Sequence, residues 1–177
     1  MVTEAADLAD ELGLAGLTLS AVAARLGVAV PSLYKHVDGT GGLHRALAAR
    51  ATRELADSLG RACVGRSGSA GLADLCRAYR SFARSHPGRY AATLQAPHPD
   101  DAKHLAAAAD AVQVVDRVLA SYGLSGTPAL DSARTVRSAL HGFVDLELHG
   151  GFGIRRSLDR SFNSLVSTLD AALTSTA

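Results

Sequence analysis

Twenty consecutive residues, TLSAVAARLGVAVPSLYKHV from Thr18 to Val37, constrain the fold most, because they read as two short helices pinned at an angle by a glycine turn. Leu19, Val22, Ala23 and Leu26 recur at helical spacing and make one buried stripe, in which Ala23 is small enough to let a second helix approach closely. Gly27 stands where that period ends, and a helix that must stop abruptly favours a residue free to take positive φ. A new helix is predicted at once. Pro31 suits its first turn, where no backbone donor is needed, while Leu33 and Val37 face inward and Ser32, Tyr34, Lys35 and His36 face out. Such a pair of helices is a device for reading DNA, and those four residues are its candidate reading surface.

The run from Thr18 through Leu43 resembles the DNA-binding segment of the TetR family of bacterial transcriptional regulators. That pattern is roughly T-x-x-x-[IV]-A-x-x-[LA]-G-V-x-x-x-x-[LF]-Y-x-[HY]-[FV], followed by a fourth helix, and the LYKHV ending is its most specific part here. Tyr34 and His36 offer hydrogen bonds and flat surfaces to phosphates and base edges, and Lys35 is the one positive charge on that helix. Thr18 and Ser20, opening the helix before it, can present hydroxyls and amides to a phosphate. In the family a lysine usually opens the fourth helix and contacts the DNA backbone. Thr40 holds the matching position here, followed by Gly41 and Gly42, so a weaker affinity and a flatter salt dependence are expected. The basic arm that often precedes the first helix is not seen ahead of it. Charge in this region is also poor for a DNA binder: over residues 1–45, Arg25, Lys35 and Arg45 stand against Glu4, Asp7, Asp10, Glu11 and Asp38, a net of −2.

With 177 residues, 47% of them hydrophobic, the chain can bury a sizeable core, enough for a DNA-binding module and a helical body. Alanine and leucine dominate, aromatics make up 5% and tryptophan is absent, which favours helices over sheets. No run of about 18 apolar residues suggests a membrane span. Glu4, Asp7, Asp10 and Glu11 crowd the N-terminal stretch where a secretory signal would be basic and apolar, so a cytoplasmic location is expected. Cys63 and Cys76 fall on separate predicted helices and read as small core side chains in a reducing compartment.

The expected fold is all-α. A three-helix helix-turn-helix domain over residues 1–45 is joined through a long fourth helix to a helical effector-binding and dimerisation domain over 46–177. The first helix is predicted over about residues 2–13, with Val2, Ala5, Leu8, Ala9 and Leu12 on its apolar side. The fourth spans about Thr40 to Cys63, with Leu43, Leu47, Ala51, Leu55 and Leu59 at steps of four. VGRSGSAG, residues 64–71, reads as a loop. Helices are then predicted over 72–85, about 89–94, about 101–122, about 129–149 and about 158–173, with Asp100-Asp101 reading as an N-cap of the third of these.

Two stripes on the last helices are wider than one neighbour needs: Leu140, Val144 and Leu148 on one, and Leu158, Phe162, Leu165, Val166, Leu169 and Leu173 on the other. A homodimer through these two helices is expected, which would place two reading helices on matching half-sites of a palindromic operator.

AYRSFARSHPGRYAATL, residues 78–94, and RSALHGFVDLELHGGFG, residues 137–153, resemble the effector domain of a TetR branch named for a Trp-His-Gly triplet. Leu140 replaces the Trp, while His141 and Gly142 are kept. The resemblance implies a regulator released from its operator by an unidentified small molecule. Tyr79, Phe82, Tyr90, His104, His141 and Asp145 are the candidate ligand-binding residues. His141, Asp145 and His149 share a helix face, but two turns separate the outer pair by about 12 Å, too far for one metal ion to bridge, so no metal site is expected. With no nucleophile elbow, phosphate loop or paired-carboxylate motif, neither an enzyme nor a cofactor is expected. The alternative is a homodimeric helical small-molecule-binding protein whose DNA binding is weak or lost, which the net −2 and Thr40 favour.

Overall fold

The computed structural model describes residues 1–176; Ala177, the end of the expected second domain, lies outside them. Among the described residues there is no strand, and the chain is all-α as predicted. The helices are α1 (Val2–Leu12), α2 (Leu19–Leu26), α3 (Val30–Leu33), α4 (Gly39–Ala62), α5 (Gly68–Ser85), α6 (Pro87–Ala92), α7 (Ala102–Ala120), α8 (Gly126–Leu148) and α9 (Leu158–Thr176), with a 3-10 turn at Leu14–Gly16. No helix among them is long and apolar enough to cross a membrane.

By compactness the chain forms two units: Met1–Ala56 with Ser85–Asp110, and Asp57–Arg84 with Ala111 onward. The expected boundary after residue 45 lies inside α4, which runs past it unbroken. Both α4 and α7 supply residues to each unit, and α6 belongs with α1 to α3.

The first unit is built on α1. Ala5, Ala6 and Ala9 are fully buried, and their small side chains let other helices come close. Leu19, Val22 and Ala23 of α2, Leu33 and Val37, and Leu43, Leu47 and Ala51 of α4 complete one core. Each fully buried leucine contributes about 1.5–3 kcal/mol. Leu12, expected on the apolar side of α1, is instead 55% exposed, because the helix ends there and Gly13, at φ 75°, turns the chain away. A set of ion pairs fastens α6 to α1. Arg89 pairs with Asp7 and with Asp10 at 3.3 Å, its backbone N–H donates to Asp10 Oδ1 at 2.9 Å, and Glu54 stands 3.7 Å away.

The second unit buries Leu72, Leu75, Cys76, Tyr79 and Phe82 of α5 with Val136, Leu140 and Val144 of α8 and Phe162, Leu169 and Leu173 of α9. Arg80 is 9% exposed, yet its charge is fully answered. Its Nε and Nη2 donate to the two oxygens of Glu147 at 2.7 and 2.6 Å, and Nη1 donates to Asp159 at 2.8 Å. The guanidinium also lies 4.7 Å from the Phe162 ring centroid. The hydrogen bond to Glu147 is the chief reason that Arg80 holds its proton above the usual arginine range. Asp170 of α9 accepts from Tyr122 Oη and, at 2.9 Å, from Ser69 Oγ.

Two elements differ most from their expected extents, while α8 starts three residues early at Gly126 and α9 runs on to Thr176. The predicted reading helix stops at Leu33, and residues 34–36 form turns closed by His36 N–H to Leu33 O at 2.9 Å and Val37 N–H to Leu33 O at 3.1 Å. Val37 must reach the core just before Gly39, at φ 64°, opens α4, which leaves no length for a longer helix. The predicted loop at 64–71 is shorter than expected, since α5 starts at Gly68. The Gly68 N–H donates to Ser121 Oγ at 2.7 Å and Gly71 is buried, so these glycines open the helix and do not delay it.

Candidate nucleic-acid interface

Local chemistry fixes the reading segment. Thr18 is the N-cap of α2, its hydroxyl accepting from the Ala21 N–H at 3.1 Å, a contact worth about 1 kcal/mol. Gly27 ends α2 in the left-handed region at φ 67°, ψ 31°, and the next residue, Val28, donates back to Ala23 O at 3.0 Å. That is a Schellman closure, and it fixes the direction in which the chain leaves α2. Pro31 sits in the first turn of α3, whose Leu33 is 3% exposed and anchors it inward. The start of α4 is tied to the same unit by His44, whose Nε2 lies 3.0 Å from Leu17 O.

All eight sequence-predicted DNA residues lie in the first unit and all are exposed: Thr18 and Ser20 at the start of α2, Pro31 and Ser32 in α3, Tyr34, Lys35 and His36 after it, and Thr40 at the start of α4. Tyr34 is 60% exposed, an unusual position for a large ring that is not needed for packing. Two hydroxyls are already committed: Thr18 accepts as the cap, and Ser32 donates to Ala29 O.

The unit's net charge stays at −2, with seven cations against nine carboxylates. The placement of the carboxylates is what matters. Asp7, Asp10 and Glu54 are occupied around Arg89, and Glu11 pairs with Arg25. Asp38 is the acidic residue adjoining the reading segment. The sequence count carried no sign of this neutralisation, because Arg89 lies about eighty positions from Asp7 and Asp10; a helix breaker at His86-Pro87-Gly88 followed by an arginine was the one available signal.

The six ligand-binding candidates are not brought together in one unit. Tyr90 (2% exposed) and His104 (3% exposed) are buried in the first, where His104 Nε2 is 3.1 Å from the Thr52 hydroxyl. Tyr79 and Phe82 are buried in the second; there His141 is half-buried and Asp145 exposed. Of the Asp100-Asp101 pair expected to cap α7, Asp101 does so, accepting from the His104 N–H at 3.0 Å. On α8, His149 Nδ1 turns back to the Asp145 carbonyl at 2.9 Å.

Of the nine stripe residues, Leu140, Val144, Phe162, Leu169 and Leu173 are at most 6% exposed within the protomer. Their stripes are spent on packing α8 and α9 into the chain's own core, and Leu148, Leu158, Leu165 and Val166 remain half-buried with surface to offer a second copy.

Comparison with known proteins agrees with this architecture. Residues 72–169 match a family of Tetracyclin repressor-like C-terminal domains, a span that takes in both body segments noted above. The chain is 32% identical to the HTH-type transcriptional regulator YobS of Bacillus subtilis, over 96% of this chain and 90% of the relative. It is 42% identical to the HTH-type transcriptional regulator Rv0681 of Mycobacterium tuberculosis over 80% of this chain, and spans 65% of that relative's length. Among solved structures, TetR of Acinetobacter baumannii in complex with minocycline superposes with a TM-score of 0.72 at 23% identity, over 97% of this chain and 92% of that one, a likeness of fold.

Proposed function

Because the chain belongs to the TetR family of helix-turn-helix transcriptional regulators, we propose that it is a repressor which holds a palindromic operator as a homodimer and releases it when a small molecule enters its helical body. The observation that carries this reading is the reading segment itself. A capped α2, a left-handed glycine and a one-turn α3 present Tyr34, Lys35 and His36 to solvent, while Asp7, Asp10, Glu11 and Glu54 are paired with arginines elsewhere in the unit. Phosphate contacts from Thr18, Ser20 and Thr40 would set the register, and Tyr34 and His36 would read base edges.

Dimerisation through α8 and α9 is proposed on Leu148, Leu165 and Val166, whose apolar surface is left uncovered by the protomer. For the effector, Tyr79, Phe82, His141 and Asp145 of the second unit are proposed as one lining; the same fold holds minocycline in the Acinetobacter protein. Tyr90 and His104 are proposed to respond through the first unit, in which α6 and α1 share their ion pairs. Release follows if the effector favours a conformation that binds operator less well, and operator must then weaken the effector by the same factor.

The test is an operator titration against DNA from the chain's own upstream region, with and without an identified effector, for wild type and His141→Ala. Selective binding in low salt, weakened by effector in wild type and not in the variant, supports the reading. The net −2 of the first unit and Thr40 favour a second reading, a dimeric small-molecule binder without useful DNA affinity. Absence of selective binding to any fragment at low salt would establish that one.

A further inference from the structure

We propose that the first unit carries a binding site for an amphiphilic organic anion, a carboxylate or phosphate ester on a small apolar body, in a groove separate from the body's proposed effector lining. The groove, of about 780 Å³, runs from the end of the reading segment at His36 along α4 to the first turns of α7. That volume is of the size that holds a small molecule.

Its chemistry is two-sided. Four cations line it, Arg45, Arg50, Arg53 and Lys103, against the carboxylates of Asp38 and Asp101. One of those two is committed, since Asp101 caps α7 through the His104 N–H at 3.0 Å. The other, Asp38, has a fully exposed side chain and stands 3.9 Å from Arg45, too far for a hydrogen bond. Arg50 and Arg53 are steadied by Glu54 and Asp110, neither of which lines the groove. A guanidinium has five donors, and those pairs leave several unused. Lys103 has no ion-pair partner among the described residues. The positive charge left without a close carboxylate in the groove is thus that of Arg45 and Lys103, inside a unit whose net charge is −2. Surface solubility does not require it there, and a bound anion would satisfy it.

The floor decides what kind of anion. Val2, Val37, Ala46, Ala49 and Ala106 offer methyl groups and no donors, and the alanines leave the space open. A bare inorganic ion would gain nothing from that floor, whereas an aliphatic or aromatic body would bury apolar surface at about 25 cal/mol per Å². Because His36 belongs both to the groove and to the reading segment, an occupant would place negative charge beside the path of the DNA backbone. Occupancy therefore opposes operator binding, and this coupling rests on the DNA-reading function proposed above.

Two arms keep the site and the function apart. Without DNA, isothermal titration of the full chain with octanoate and with phenyl phosphate should show saturable binding, with octanol and inorganic phosphate roughly tenfold weaker or worse. The double variant Arg45→Gln/Lys103→Gln, altered at two exposed positions, should melt like wild type and lose roughly tenfold in affinity for both anions. No binding of either anion, equal affinity for octanol or inorganic phosphate, or undiminished binding by the double variant overturns the site. In the second arm, octanoate at about its wild-type Kd should weaken operator binding by wild type and have little effect on the double variant; an equal effect on both overturns the coupling. Failure of the ligand-free protein to bind operator would sink the proposed function and leave the calorimetric result standing.

Discussion

Gly88 and Ala9 meet backbone to backbone: a Cβ on residue 88 would come within 1.9 Å of the Ala9 carbonyl oxygen and 2.6 Å of the Asp10 nitrogen. No side chain fits, so α6 can lie on α1 only with glycine there. Gly88→Ala should force the two helices apart, at a cost of about 1–3 kcal/mol or more, and lower the melting temperature by roughly 3–10 °C. Calorimetry that finds wild-type stability in this variant would show that the two helices are not locked together.

At the reading surface, Tyr34→Ala should cost about 1–3 kcal/mol against the specific operator and little against random DNA. Lys35→Ala should weaken every sequence alike and reduce the slope of log affinity against log salt by about one unit. Fluorescence anisotropy across a salt series distinguishes the two. A Tyr34 variant that loses affinity equally for all DNA would make that ring a backbone contact.

Val144 is 0% exposed, so Val144→Glu places an unpaired carboxylate in the second unit's core and should abolish its folding. Leu165→Glu falls at a half-buried position and should leave the fold intact while dissociating the dimer. Circular dichroism with light scattering reads both. A Leu165→Glu protein that remains dimeric moves the interface off this face.

Arg80→Ala strips Glu147, whose side chain is 9% exposed, of its bidentate partner. Leaving one half of a buried pair behind costs about 3–5 kcal/mol, whereas replacing Arg80 and Glu147 together with Met and Leu should recover most of it. Denaturant unfolding of the single and double variants measures the difference. A double variant as unstable as the single one would mean that the packing of Arg80 on Phe162 matters more than its charge.

Burial pushes the Cys76 thiol up from its ordinary 9.0 to about 12. The folded chain keeps this proton at a pH where the unfolded chain has lost it, so the stabilisation is complete below pH 9 and drains away as pH rises toward about 12. Above pH 9 the melting temperature of wild type should fall more steeply than that of Cys76→Ala. Parallel curves would show that the thiol ionises freely in the fold.

Much of this was legible in the residues. Leu43, Leu47, Ala51, Leu55 and Leu59 recur at helical spacing and are all buried on α4, and Gly27 sits where the glycine turn requires it. Exposure of the reading residues followed from the inward placement of Leu33 and Val37, since a short helical turn buries one side only. The stripes of α8 and α9 misled: periodicity shows that a face is apolar, not what covers it, and Leu140, Val144, Phe162 and Leu169 are covered by their own chain.

The all-α class, the glycine-turned reading segment and the helical faces were written into the residues, because each depends on interactions within a few positions: hydrogen bonds at steps of four and a residue permitted positive φ. Where charge resides was settled by how the helices pack. Packing joined residues 85–110 to the N-terminal unit, gathered Asp7, Asp10 and Glu54 around Arg89, brought Lys103 to the side of Arg45, and sealed Arg80 between Glu147 and Asp159. Coulombic partners are set by distance in space, which no local pattern encodes, so a charge count along the chain can be right in its total and wrong about every surface that the fold creates.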